Sequence, residues 1–147
     1  MLMIRQISEQ DIEEIAKLER NVFSDSWSQS ALEETCHQKQ SVMLGAWMEN
    51  ELAGYIIVYY VLDEGEIARI AVKSNFRRQG VAGRLLMELE KFCKDKGIVR
   101  LLLDVRQSNE AAKKFYDKTG FVEDGIRKNF YSHPVENAVL MSKTVSR

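Results

Sequence analysis

Apolar residues recur along this chain with two different periods, and the switches between them predict its elements. Near the middle, Ile67, Ile70 and Val72 supply β-branched bulk for a strand. Ala82, Leu85, Leu86, Leu89, Phe92 and Cys93 then recur at i, i+3, i+4, i+7, i+10 and i+11, the apolar stripe of a helix running to Lys96. Gly97 stands where a helix C-terminus favours a left-handed residue, and Lys91, Lys94 and Lys96 meet the negative end of the dipole. Strand and helix are joined by a short connection, Lys73–Phe76, and a basic glycine-containing turn, Arg77–Arg84.

The same reading extends in both directions. Met3–Ser8 predicts a short strand, and Ser8 caps a helix to about Asn21 with Ile12, Ile15, Ala16, Val22 and Phe23 facing inward. A polar loop, Ser24–Ser28, surrounds Trp27, which is either a lid over the core or the wall of a site. Ser26 with Gln29, or Ser30 with Glu33, forms a capping box for a helix to about His37. Val42–Met48 and Leu52–Leu62 read as a hairpin closed by Glu49–Glu51, and Asp63–Gly65 turns into the central strand. Arg100–Val105 is a nearly continuous apolar strand, and the strand-helix-strand order across Ile67–Val105 makes its two strands parallel. Ser108 caps a helix from Asn109 to Lys118. Phe121–Arg127 and Ala138–Lys143 close the chain as strands around a polar-aromatic loop, Lys128–Asn137. The class is mixed α+β, with helices on both faces of a mixed sheet.

Composition narrows the possibilities more than it adds to them. At 147 residues the chain is expected to be one domain with a core large enough to need no staples. A net charge of −1 gives no global basic field, so neither nucleic acid nor an anionic membrane is suggested as a partner. No signal peptide or long apolar run appears, which points to a cytoplasmic protein. Cys36 and Cys93 lack metal-like spacing, and two histidines, His37 and His133, give little material for a metal site or a hydrolase triad; no metal is expected.

Charge at the start of the central helix is the anomaly. Helix N-termini are positive and usually carry acids, yet the first turns here hold Arg77, Arg78 and Arg84, with no acid before Glu88. Gly80 and Gly83 would let an anion approach the backbone. A solvated basic turn is the plainer alternative. With a strand before it and a clean helix after it, the pattern favours a pyrophosphate cradle, although neither a P-loop nor a dinucleotide fingerprint is present. Asp104 interrupts an apolar strand near the expected ligand crevice. It is either a proton-accepting carboxylate or a solvated residue paired with Arg106. Tyr116, two turns beyond Asn109, faces the same way as that residue and is either part of the same site or a core tyrosine with a satisfied hydroxyl.

Together these segments resemble the GNAT family of N-acetyltransferases. Ile70–Val72 followed by Arg77-x-x-Gly80-x-Ala82 is similar to the family's acetyl-CoA motif, and Leu103–Ala112 with Phe115–Phe121 to its second signature. Ser26–Ser28 and Arg127–Tyr131, followed by Pro134, Glu136, Asn137, Ala138 and Met141, resemble the RimI branch, which acetylates the N-terminal alanine of a ribosomal protein. The resemblance covers essentially all of residues 1–147 as one N-acetyltransferase domain. It implies the acyl-CoA N-acyltransferase fold, a largely antiparallel sheet of about seven strands flanked by about four helices. It also implies that Ile70, Ala71 and Val72 hold the pantetheine arm by main-chain bonds, that Arg77 belongs to the cofactor motif, and that Arg78, Gln79, Gly80, Val81, Ala82 and Gly83 wrap the pyrophosphate of acetyl-CoA. Asn109 would bond the pantetheine arm. Asp104 falls where RimI proteins place a glutamate base, and Tyr116 where they place a tyrosine acid. The shorter Asp104 makes a bridging water the expected route for the proton and leaves Glu66 as a substitute base. Trp27, Asn129, Phe130 and Tyr131 are candidates for the acceptor-facing wall.

Ordinary pKa values favour an N-terminal acceptor. An α-amine near 8 is neutral in roughly a tenth of molecules at pH 7, whereas a lysine near 10.4 is neutral in well under about 1%. The expected function is therefore acetyl transfer from acetyl-CoA to a protein N-terminus by direct amine attack, in a monomer or weak dimer. The alternatives are a GNAT acting on a small amine or a lysine, and a non-catalytic acyl-CoA-binding regulator.

Overall fold

Strand pairing turns the alternating polarity of the chain into one sheet with a fork in it. The computed structural model describes residues 1–145: β1 (Leu2–Gln6), α1 (Ile12–Val22), α2 (Gln29–Cys36), β2 (Ser41–Met48), β3 (Glu51–Val61), β4 (Glu64–Val72), α3 (Val81–Lys96), β5 (Arg100–Arg106), α4 (Glu110–Lys118), β6 (Val122–Tyr131) and β7 (Glu136–Thr144). The sheet order is β1-β2-β3-β4-β5-β7-β6. Every pairing is antiparallel except β4 with β5, the parallel pair that the crossover through α3 requires. The architecture is the mixed, largely antiparallel one that the sequence implies. Among the described residues no helix is long and apolar enough to cross a membrane.

Successive residues of a strand face opposite sides, so the two faces carry separate cores. Ile56, Val58 and Ile67 pack beneath Leu85, Leu89 and Cys93 of α3. Tyr55, Ile57 and Ala71 pack beneath Ile12 and Ile15 of α1 and Leu32 of α2. Leu85 and Leu89 are fully buried, and truncating either to alanine would cost about 2–5 kcal/mol. The β2–β3 hairpin turns on Glu49 and Asn50, both with positive φ (51° and 70°), as a two-residue turn matched to strand twist requires.

The fork lies between the two central strands. Only Glu64, Gly65 and Glu66 of β4 pair with β5, whereas β5 pairs with β7 along its whole length, Arg100 to Arg106. Just past the last β4–β5 pair, β4 bulges: Ile67 opposes Val58 and Arg69 opposes Ile57, leaving Ala68 unpaired. A bulge adds local twist and bends the strand. Ile67–Val72 and Leu103–Arg106 therefore diverge, and the space between them is the feature the rest of the fold frames.

Several boundaries differ from the pattern reading for identifiable reasons. Ser8 does form a capping box with Asp11, but over a short 3-10 turn (Glu9–Asp11) that precedes α1. The second helix is capped by Ser28, whose Oγ accepts the Ala31 N–H at 3.0 Å, and neither expected box forms. Asn109, not Ser108, caps α4, its Oδ1 accepting from the Ala112 N–H at 3.1 Å. Helix α3 starts at Val81, which is buried, while Ala82 is half-exposed over the fork. The expected loop Lys128–Asn137 is mostly strand: β6 runs to Tyr131 as the sheet's edge, with nearly every side chain in solvent, and an edge strand in solvent looks polar in sequence.

Candidate active site

Two cavities open from the fork, one on each side of Tyr116. The first, about 810 Å³, runs from the free edge of β4 to the start of α3. Lys73 N–H donates to the Ala53 carbonyl at 2.8 Å, so Lys73 and, by alternation, Ala71 address β3. Ile70 and Val72 between them send their backbone groups the other way, where β5 has already diverged. Arg77 Nε reaches back to the Val72 carbonyl at 3.2 Å, which leaves the Val72 N–H and both groups of Ile70 open. Of the three strand residues proposed for main-chain contact, Ala71 thus contributes only its side of the wall.

At the far end of this groove the chain enters α3 through two left-handed residues, Arg78 (φ 65°) and Gly80 (φ 80°). The first helical bond is Arg84 N–H to the Gly80 carbonyl at 3.0 Å. The amides of Gln79 to Gly83 consequently donate to nothing among the described residues. A Cβ added at Gly80 or Gly83 would meet nothing within 4 Å, so the space over these amides is clear. The Gln79 side chain turns away to the Asn75 carbonyl (3.1 Å). Open amides on a positive helix end, flanked by Arg77 and Arg78 and continued by an apolar floor of Val81, Ala111 and Phe115, suit a phosphorylated carrier with a long neutral arm.

The second cavity, about 590 Å³, lies between the α1–α2 connection and the β6–β7 hairpin and is lined by side chains. Asp104 and Arg106 enter it from β5, Glu66 and Arg69 from β4, Asp25 and Trp27 from the α1–α2 connection, and Phe130 and Tyr131 from β6. Arg106 pairs with Glu136 (3.2 Å) rather than with Asp104. Its guanidinium also donates to the Ser132 and Pro134 carbonyls (3.3 and 3.2 Å) and lies 4.4 Å over the Tyr131 ring. Glu136 in turn accepts the Ser108 N–H at 2.5 Å, and the Ser108 side chain, then this backbone bond, with Arg106 behind them, hold its carboxyl below the usual range. Arg69 is likewise matched, by Glu19 (3.1 Å). Arg69 also stands 3.6 Å from the Asp25 carboxylate, so the two cations of the wall are spoken for and Glu66 and Asp104 are surplus carboxylates. Asp104 itself is half-buried and has no hydrogen-bond or ion-pair partner among the described residues.

Tyr116 lines both cavities and, with Ile70 and Ala112, forms the boundary between them. It is 5% exposed, with edge-on contacts to Phe115 and Phe121 at 5.2 Å. Burial, and then the nearby Tyr131, push its phenol well above the ordinary tyrosine value, so it stays protonated. The Tyr131 phenol is raised too, first by burial and then by Asp104. Asn109 lines the second cavity from the α4 cap. Asn129 does not reach it: this residue is exposed, with φ 53°, and its N–H is held by Asn137 Oδ1 at 3.0 Å. Cys93 is buried in the α3 core, its thiol pushed up to about 11 by burial, and meets neither cavity.

Glu19 and Arg69 are absent from the pattern reading, and Arg106 and Glu136 enter it without a place in the site, the one as a neighbour of Asp104 and the other within the C-terminal resemblance. One of them had a visible signal: Ile12, Ile15, Ala16 and Glu19 follow the i, i+3, i+4, i+7 stripe of α1, with a charge in the last place.

The model of the acetyltransferase (GNAT) family matches residues 12–121. The ribosomal protein bS18-alanine N-acetyltransferase of Haemophilus ducreyi is 36% identical over 143 residues, spanning 95% of this chain and 98% of that protein. Its counterpart in Haemophilus influenzae is 34% identical over 145 residues, 97% and 98% of the two chains. Among solved structures, the crystal structure of the ribosomal-protein-S18-alanine N-acetyltransferase from Escherichia coli superposes with a TM-score of 0.92 at 28% identity, covering 100% of this chain and 96% of that one.

Proposed function

The chain belongs to the GNAT acetyltransferase family, and from that premise we propose that it acetylates the N-terminal α-amine of a protein, the N-terminal alanine of a small-subunit ribosomal protein. One observation carries the mechanism: a groove made of free amides and a cavity with surplus carboxylate meet at a single protonated tyrosine, Tyr116. The ribosomal target is supported by relatives that match nearly the full length of the chain and act on ribosomal protein bS18.

Acetyl-CoA supplies the activated acetyl group. Its pyrophosphate suits the amides from Arg78 to Gly83, with the charges of Arg77 and Arg78 beside them, and its pantetheine arm suits the free main-chain groups of Ile70, whereas Asn109, given to that arm by the resemblance, caps α4 and lines the acceptor cavity instead. The open Val72 N–H is the donor for the thioester oxygen as negative charge builds on it. On the other side, Glu66 and Asp104 draw in a cationic amine and hold it against Trp27, Phe130 and Tyr131. Asp104 accepts the proton the amine must lose. One methylene shorter than a glutamate, it does so through a water, with Glu66 of the same cavity lining as the substitute base. An acceptor with a pKa near 8 asks little of such a base, and a lysine near 10.4 asks roughly two units more. Tyr116 gives its proton to the departing sulfur. Burial keeps that proton on the phenol until the sulfur leaves.

Thiol release from acetyl-CoA tests this with three acceptors: a peptide starting with alanine, the same peptide blocked at its N-terminus, and a polyamine. Release is expected with the first alone. Release with the blocked peptide would move the acceptor to lysine, release with the polyamine to small amines, and no release would leave a binding module.

A further inference from the structure

One charged cluster lies behind the cavity wall and takes no part in the chemistry above. Glu19 sits on the inward stripe of α1 and is 0% exposed. A carboxylate taken out of water is costly unless its oxygens are saturated. Here they are: Oε1 accepts the Tyr55 hydroxyl, and Oε2 accepts the Trp27 N–H at 2.9 Å and Arg69 Nη2 at 3.1 Å. Two of these three donors belong to the wall of the second cavity, not to the core.

Arg69 reaches Glu19 because of the bulge in β4. Tyr55 pairs with Ala71 and Ile57 with Arg69, all on the face covered by α1 and α2; Ile56 pairs with Ile70 and Val58 with Ile67 on the face covered by α3. Strict alternation forward from Ile67 would put Ala68 on the α1–α2 face and send Arg69 to the α3 side, away from Glu19. The extra residue, Ala68, lets Ala68 and Arg69 share the α1–α2 face while Ile67 stays with α3. From there one guanidinium touches every second residue of the α1–α2 connection. It lies 4.1 Å over the Phe23 ring, donates to the Asp25 carbonyl at 2.8 Å, stands 3.6 Å from the Asp25 carboxylate, and lies 5.3 Å from the Trp27 ring centre. Its Nε is buried with no acceptor among the described residues, a cost that a residue selected only for stability would not carry. The connection itself has no regular structure, and Ser24, Asp25 and Ser26 are exposed.

We infer that Glu19 and Arg69 form a pin that holds Phe23–Trp27 in place as one wall of the acceptor cavity, making both positioning residues for acceptor selectivity. This rests on the proposal that the second cavity takes the acceptor. Phe23 and Trp27 present the wall, Asp25 is turned toward the cavity by Arg69, and neither pin residue touches the groove of the acetyl donor.

The test compares Arg69→Lys, which keeps the charge but loses the planar fork, with the double variant Glu19→Gln, Arg69→Met, which removes both charges together and leaves no lone buried ion. In each, the KM for an alanine-starting peptide is expected to rise on the order of tenfold, as for loss of a hydrogen bond to a charged group, while the KM for acetyl-CoA holds. Discrimination against a leucine-starting peptide should narrow. Acrylamide quenching should rise as Trp27 is released, since Trp47 is buried in the core and stays protected. Equal loss in both KM values, or lower kcat with peptide KM and quenching unchanged, would overturn the pin. The control is the wild type: if it acetylates a polyamine but no peptide, the functional proposal fails, and the pin is then scored on the KM for that amine.

Discussion

The groove and the cavity on either side of Tyr116 recognise their ligands by different means. The groove works with main chain: the edge of β4 at Ile70 and Val72, and the amides at the start of α3. The cavity works with side chains delivered by six separate segments and fixed by two long-range ion pairs, Arg106–Glu136 and Arg69–Glu19. Backbone recognition tolerates changes of side chain but not of conformation, so it suits a co-substrate that never varies. A wall of side chains can be retuned one residue at a time, which suits an acceptor that differs from enzyme to enzyme.

Substitutions can break or sharpen that contrast. The largest effect is expected at the boundary: Tyr116→Phe should lower kcat by about 10²–10⁴-fold, the usual range for a general acid, with coenzyme A affinity retained. Because burial raises this phenol, kcat/KM should climb with pH as the amine loses its proton and then stay flat past about pH 10, where an ordinary tyrosine would titrate. On the cavity side, Asp104→Ala should lower kcat/KM by on the order of 10–100-fold, with Asp104→Glu recovering most of it. On the groove side, Gly80→Val forces a branched residue to φ 80° and puts a side chain over the amides. It should raise the KM for acetyl-CoA by on the order of tenfold, cost about 1–2 kcal/mol of stability in a denaturant titration, and leave the peptide KM alone. The smallest effect is expected from Gly83→Ala. This position is helical with clear space around it, so the change should add about 0.5–1 kcal/mol to stability, raise the KM for acetyl-CoA by less than Gly80→Val does, and leave the peptide KM alone.

The contrast also explains what could be read from the chain before the fold was known. Groove residues are contiguous, and a run such as Arg77-x-x-Gly80 leaves its mark in sequence because backbone recognition needs a glycine at one place and no acid nearby. The strands, the parallel crossover and the left-handed Gly97 cap were legible for the same reason, since each depends on local pattern. Cavity residues carry no such mark. Arg106 looked like a partner for its neighbour Asp104, and only the fold brings Glu136 to it across thirty positions. The bulge at Ala68, which decides where Arg69 points, has no composition signal in a run of β-formers. Asn129 is a candidate for the wall beside Phe130 and Tyr131, but a left-handed backbone and the Asn137 side chain take it out of reach.

Titration of coenzyme A into the pure protein by calorimetry tests the central claim most directly: a phosphorylated carrier docks on the free amides at the start of α3. The wild type should bind with measurable heat, Arg78→Glu should weaken binding by on the order of tenfold or more, and Arg69→Lys should bind like the wild type. No heat with the wild type, or an Arg78→Glu protein that binds as tightly, would contradict it.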